Sequence, residues 1–193
     1  MDIHSGTVIL IDAEFTCWER SLASGWSDPA HPAEMIEVGM IAYDAIAQSE
    51  LASFSSLVRP RINPELSIYC LNILPIRQEE IESAPDFEQV VKEIAVWLGQ
   101  HTEIDSPTAA WGKIDRTHTS NQAMRSDIPD PFGDRAHIQV DELVKSALNI
   151  GSKIEREDVR KRLNIEPITG RHRALADSAD LIAFDKALAN LAE

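Results

Sequence analysis

The chain has 193 residues, 44% hydrophobic and 26% charged, the balance expected of one soluble globular domain over residues 1–193. Its 32 acidic against 18 basic side chains leave a formal net charge of −14, which argues against a protein that coats long nucleic acid through many phosphate contacts. An enzyme that meets one phosphate at a time stays open, because divalent cations would offset the negative charge where it matters.

Met1-Asp2 carries no basic segment, and the apolar run that follows is interrupted at Asp12. Neither a secretory signal nor a membrane span is expected, and a cytoplasmic location is the default. That run, Val8-Ile9-Leu10-Ile11, has three β-branched members and predicts a strand buried on both faces at the centre of a sheet. Asp12 and Glu14 follow at i and i+2, which on a strand points both carboxylates to one face. Two like charges side by side there are costly unless something positive lies between them, and a metal ion is the usual answer. The alternative is that Asp12 starts a turn and Glu14 is solvated.

Residues 18–33, with Gly25, Pro29 and Pro32, read as an exposed loop of unusual length. Residues 34–43 and 50–59 read as two further strands, completing an antiparallel meander with the first. Asn63 followed by Pro64 predicts a helix start. A short helix is expected over 78–82 and a longer one over 85–98, with Phe87, Val90, Val91, Ile94, Val96, Trp97 and Leu98 as its apolar stripe. Residues 108–112 read as a short buried strand, 115–124 as a helix, 137–140 as a fifth strand and 141–148 as a helix. Residues 155–163 form a basic helix with Lys161 and Arg162 near its end, where the dipole favours them. A last helix is expected over 171–191. Cys17 and Cys70 have neither metal nor redox spacing, which fits a reduced compartment. No repeat or linker interrupts the chain, so the expectation is a single α/β domain.

Carboxylates thus stand at three separated places: Asp12 with Glu14, Asp115 after the strand ending in Trp111-Gly112, and Asp177 on the last helix with His172 five residues before it. Read singly, Asp115 is a helix N-cap, His172 a solvated residue of a first turn, and Asp177 a surface residue paired with Arg173. Taken together, Asp-x-Glu, a later Asp and His-x-Ala-x-x-Asp resemble the DEDDh 3′-to-5′ exonucleases of the ribonuclease H-like fold. The resemblance extends over Asp12 to Trp18, Arg59-Pro60, Asn63 to Ser67, Tyr69-Cys70, Ile76 with Gln78, Trp111-Gly112 with Asp115-Arg116, and Gly170 to Leu175. These blocks are similar to the branch containing the Eri1-type and KapD-type enzymes.

The resemblance implies a mixed five-stranded sheet, an antiparallel meander plus parallel strands, flanked by helices. It implies hydrolysis of phosphodiester bonds from a 3′ end, releasing nucleoside monophosphates. Such chemistry needs a nucleophilic water at neutral pH and stabilised charge on attacking and leaving oxygens, which two divalent cations about 3.5 to 4 Å apart supply. Clustered carboxylates select hard ions such as Mg²⁺ or Mn²⁺. By resemblance, Asp12 bridges both ions, Glu14 and Asp177 complete the site that activates water, and Asp115 supports the second ion. His172 is then the general base.

The same resemblance places Phe15, Thr16 and Trp18 against the terminal nucleotide. Arg116, Arg171 and Arg173 are candidates for phosphate contacts, with surface solvation explaining them equally well. For Phe15 and Trp18 the competing reading is core or loop packing. Where relatives commonly carry Thr-Gly before the isoleucine of Ile-x-Gln, this chain has Leu74-Pro75 ahead of Ile76. Proline removes a main-chain donor, and the expectation is that Leu74 packs against the terminal base instead. The implied substrate is single-stranded RNA or an RNA 3′ overhang. A DNA-directed enzyme of the proofreading kind and a non-catalytic nucleic-acid-binding module are the alternatives.

Overall fold

The computed structural model describes residues 6–151 and 154–191; Met1 and Asp2 lie outside them. Strand β1 (Thr7–Phe15) is followed by a short helix α1 (Ser21–Ser24), then β2 (Met35–Asp44) and β3 (Ser49–Leu57). Helices α2 (Ile68–Ile73), α3 (Gln78–Glu82) and α4 (Phe87–His101) come next. The second half runs β4 (Thr108–Ala110), α5 (Ile114–Ser126), β5 (His137–Gln139), α6 (Val140–Ala147), α7 (Arg156–Arg162) and α8 (Ala174–Leu191). The sheet order is β3-β2-β1-β4-β5. The first three strands pair antiparallel, and β4 and β5 join them in parallel, so the expected mixed sheet is found with β1 at its centre.

Strand parity sorts the core. Ile9 and Ile11 of β1 pack with Val90, Ile94 and Trp97 of α4 on one face. Val8 and Leu10 pack with Val144 of α6, Val159 of α7 and Leu181 and Phe184 of α8 on the other. All four β1 side chains are buried, and each contributes on the order of 1.5–3 kcal/mol by leaving water. The strand that carries the carboxylates is therefore held from both sides.

Several local expectations are corrected. No helix starts at Asn63-Pro64. The amide groups of Arg61, Ile62 and Asn63 instead donate to the buried carboxylate of Glu34 at 2.8, 2.9 and 2.8 Å, and the helix begins at Ile68 with Ser67 as N-cap. A distant carboxylate outbids the local cap signal because it accepts three donors at once. The loop over residues 18–33 is not simply exposed: it carries α1, and Trp26 Nε1 donates to the Thr16 carbonyl at 2.7 Å. Val96 points to solvent and leaves the stripe of α4. The last helix starts at Ala174 rather than at 171. Among the described residues, no helix is long and apolar enough to cross a membrane.

Candidate active site

Asp12 and Glu14 continue the parity of Val8 and Leu10 and so face the α8 side of the sheet. Asp12 lies opposite Gly39 of β2, and Glu14 opposite Glu37. Because Gly39 has no side chain, the first turn of α8 settles directly on β2 there, and Ser178 Oγ donates to the Gly39 carbonyl at 2.8 Å. Glu37 fixes the entry to that helix, accepting from Arg173 Nε at 2.9 Å and from the Ala174 amide at 3.3 Å. This places Asp177 beside the β1 carboxylates.

His172 does not lie in the helix as expected. It sits in a turn at φ 60°, and its amide donates to Asp177 Oδ2 at 2.8 Å, so a side chain in the helix fixes the turn that presents the imidazole. Asp115 arrives from the opposite layer. β1 outruns the short β4, which pairs only with Ile9 and Leu10, and the amide of Ala13 beyond it donates to Asp115 Oδ1 at 3.1 Å. Asp115 is in the first turn of α5, whose N-cap is Lys113; the N-cap reading of Asp115 is thus overturned. Asp12, Glu14, His172 and Asp177 line one cleft of about 220 Å³.

The crowding of like charges shows in their protonation. Burial, then Asp115 and Glu14, push the Asp12 carboxyl well above its ordinary range, against the opposing pull of Arg156. Burial, then Asp177 and Glu37, raise Glu14 from 4.5 to about 8. Burial raises Asp115 from 3.8 to about 6, although the hydrogen bond from Ala13 opposes the shift. Folding therefore retains protons that the unfolded chain releases, and stability is lost as pH climbs from about 4 toward 8. In chelator, the melting temperature is expected to fall between pH 5 and pH 8. A divalent cation that binds the ionised carboxylates will reduce or reverse that fall. A melting temperature independent of pH in chelator would contradict the crowding.

The donor set suits a hard divalent cation. Ligand atoms of Glu14, His172 and Asp177 all lie within 4.8 Å of one another, close enough to share one ion.

The family model described as Exonuclease, that of the RNase T group, matches residues 9–184. The chain belongs to the exonuclease family. It is 32% identical to the 3′-5′ exonuclease eri1 of Schizosaccharomyces pombe over 129 residues, covering 63% of this chain and 41% of that protein. It is 28% identical to the probable 3′-5′ exonuclease KapD of Bacillus subtilis over 128 residues, 66% of this chain and 58% of that one. Against the human 3′-5′ exoribonuclease 1 the identity is 29% over 97 residues, 50% of this chain and 26% of that protein. The chain thus spans less than two thirds of the length of each of these relatives. The structure of the nuclease domain of 3′hExo, a DEDDh family member bound to rAMP, superposes with a TM-score of 0.79 at 23% identity over 98% of this chain and 95% of that one. The fold is ribonuclease H-like.

Within this exonuclease fold the expected substrate contacts fare differently from the carboxylates. Phe15 is buried in the core and meets the His118 ring edge-on at 5.2 Å. Thr16 is buried too: its hydroxyl donates to the Pro32 carbonyl and accepts from the Glu34 amide, each at 3.1 Å. Trp18 is half-buried and lies 4.3 Å from the His31 ring. Leu74 is 5% and Ile76 4% exposed, both packed with Ile36, Leu66, Cys70 and Ile81. Leu74 therefore offers no face to a terminal base, and the expectation that it does so is corrected. Leu74 caps α2 in the extended conformation that the residue before a proline prefers. Arg116 is committed as well, holding Asp130 at 3.0 Å and the Gly133 carbonyl at 2.6 Å. Arg173 is taken by Glu37, and Arg171 reaches Glu157 at 3.5 Å. Sequence reasoning missed Glu34, Glu37 and Arg156. Glu37 carried a signal, since a charge inside a strand as buried as β2 requires a partner, and Glu34 directly precedes that strand and is buried as deeply.

Proposed function

We propose that the protein is a metal-dependent 3′-to-5′ exonuclease that releases nucleoside monophosphates from single-stranded RNA or RNA 3′ overhangs. The observation that carries this reading is the convergence of Asp12, Glu14, Asp177 and His172, from β1, α8 and the turn before α8, at one cleft, with Asp115 of α5 held beside it by the Ala13 amide. Asp12, Glu14, Asp115 and Asp177 would hold two Mg²⁺ or Mn²⁺ ions, which when bound lower the pKa of water and neutralise charge on the attacking and leaving oxygens.

The chain's own groups do the rest. Asp177 works twice, as a ligand and as the acceptor that locks the His172 amide. His172 is exposed on its turn, so its imidazole can take a proton from the attacking water and pass it to solvent. Trp18 and His31, in tilted ring contact and partly open to solvent beyond the end of β1, supply a surface on which a base can stack. RNA is favoured because the matched human relative is named an exoribonuclease. A cytoplasmic setting is supported by Cys17 and Cys70, both free thiols.

The test uses 5′-labelled single-stranded RNA and DNA with Mg²⁺, Mn²⁺ or chelator. A ladder shortening from the 3′ end, dependent on metal and faster on RNA, is the expected result. Tight binding without shortening would make the protein a binding module, and faster shortening of DNA would reverse the substrate.

A further inference from the structure

Among the cleft's side chains that this chemistry leaves unused, one lies against two of its carboxylates. Arg156, the first residue of α7, lies with Nη1 3.8 Å from Asp12 Oδ1 and 3.9 Å from Asp177 Oδ1. Its close contacts go elsewhere. Nη2 donates to the Asp177 main-chain carbonyl at 2.6 Å and stands 3.1 Å from Asp180 Oδ2. The guanidinium carbon lies 5.6 Å from the Trp111 ring centroid and 5.8 Å from that of Phe184. Its Nε is buried without a hydrogen-bond partner among the described residues.

The surroundings show that α7 does not account for this placement. A cation at the first position of a helix meets the positive end of the dipole, which is unfavourable. The acidic cleft and the two aromatic rings hold it there instead. Asp180, only 1% exposed, is shared between Arg156 and Arg160, so the anchor keeps a cationic partner of its own. Because Arg156 is held by Asp180, a carbonyl and two rings, none of its close anchors is one of the four carboxylates assigned to the metal ions. It therefore stays in place when Asp12 and Asp177 take other cations. With all four carboxylates ionised, Arg156 returns one positive charge, and two divalent ions then leave the cleft with a surplus of one. That sign suits a phosphodiester.

We propose that Arg156 is a resident cation of the site: a positioning residue that screens Asp12 from Asp177 in the metal-free protein, weakens divalent-ion binding, and leaves the loaded cleft positive toward the substrate phosphate. This rests on the metal-site reading above. Isothermal titration of Mn²⁺ into wild type, R156Q and R156K tests it, together with KM on single-stranded RNA. R156Q is expected to bind Mn²⁺ on the order of tenfold more tightly, since a like charge within a few ångströms is removed. Its KM for RNA should rise, and R156K should return Mn²⁺ affinity toward wild type. R156M keeps the aliphatic stem against Trp111 and Phe184 and gives the same readout if the glutamine variant does not fold. Folded R156Q or R156M that binds Mn²⁺ no more tightly than wild type overturns the inference alone. A wild type that binds no Mn²⁺ overturns the metal reading beneath it.

Discussion

Asp12→Asn is expected to reduce 3′-to-5′ hydrolysis by about three orders of magnitude or more while leaving the melting temperature in chelator unchanged or higher. The two signs have one cause. Asp12 sits between charges from three elements, with Asp115 on α5, Glu14 on its own strand and Asp177 on α8 all raising its pKa after burial has done so. Asparagine has the same shape but carries no charge, so it relieves this repulsion without opening a cavity. What it removes is a hard anionic ligand at the centre of the group, and metal affinity must fall with it. A residue kept for packing would lose stability on replacement, whereas one kept for chemistry loses activity and can gain stability. Turnover within tenfold of wild type would move the reacting centre away from Asp12. A lower melting temperature at pH 8 would mean that the carboxylate is held by partners rather than crowded by rivals.

The parts of the site legible in the sequence are those governed by local periodicity. The aliphatic run of β1 sets a strand and its parity, and parity alone puts Asp12 and Glu14 on one face. Resemblance added Asp115, His172 and Asp177, and the structure brings all of them to one place. What the sequence concealed depends on partners far along the chain. The helix expected at Asn63 is absent because Glu34, 29 residues earlier, captures its amides. His172 leaves α8 because Asp177 takes its amide at a left-handed turn, a conformation that helical spacing does not encode. Arg116 resembled a phosphate contact until Asp130 and Gly133 were found to occupy its guanidinium. Leu74 resembled a ligand surface until the core formed by α2 and α3 closed over it. Arg156 was hidden in a helix whose basic residues were explained by the dipole, although Arg156 stands at the end where the dipole argues against it.

The approach of α8 to β2 makes Gly39→Ala severely damaging, since among the described glycines only this one would put an added Cβ into backbone atoms. A Cβ at Gly39 would stand 2.2 Å from Leu175 N, 2.3 Å from the Ala174 carbonyl carbon and 2.4 Å from Leu175 Cα. All three are backbone atoms, so no rotamer change relieves the clash, and the start of α8 must move off the sheet. The expected cost is about 3 kcal/mol or more, the upper range for overpacking a close contact. The bond from Ser178 Oγ to the Gly39 carbonyl goes with it. Asp177 precedes Ser178, so it retreats from Asp12, which faces Gly39 across the β1–β2 register. A displacement of about 1 Å at a reacting centre costs about 10²-fold in rate, and the remaining folded protein should show that loss together with weaker divalent binding. Ser178→Ala separates the two contributions: it removes the hydrogen bond, worth about 1 kcal/mol, but leaves the helix seated. Equilibrium denaturation and turnover per folded molecule, measured on both variants, give the comparison. If Gly39→Ala were no worse than Ser178→Ala, α8 would not rest on β2 as closely as the structure places it, and the position of Asp177 would need another cause.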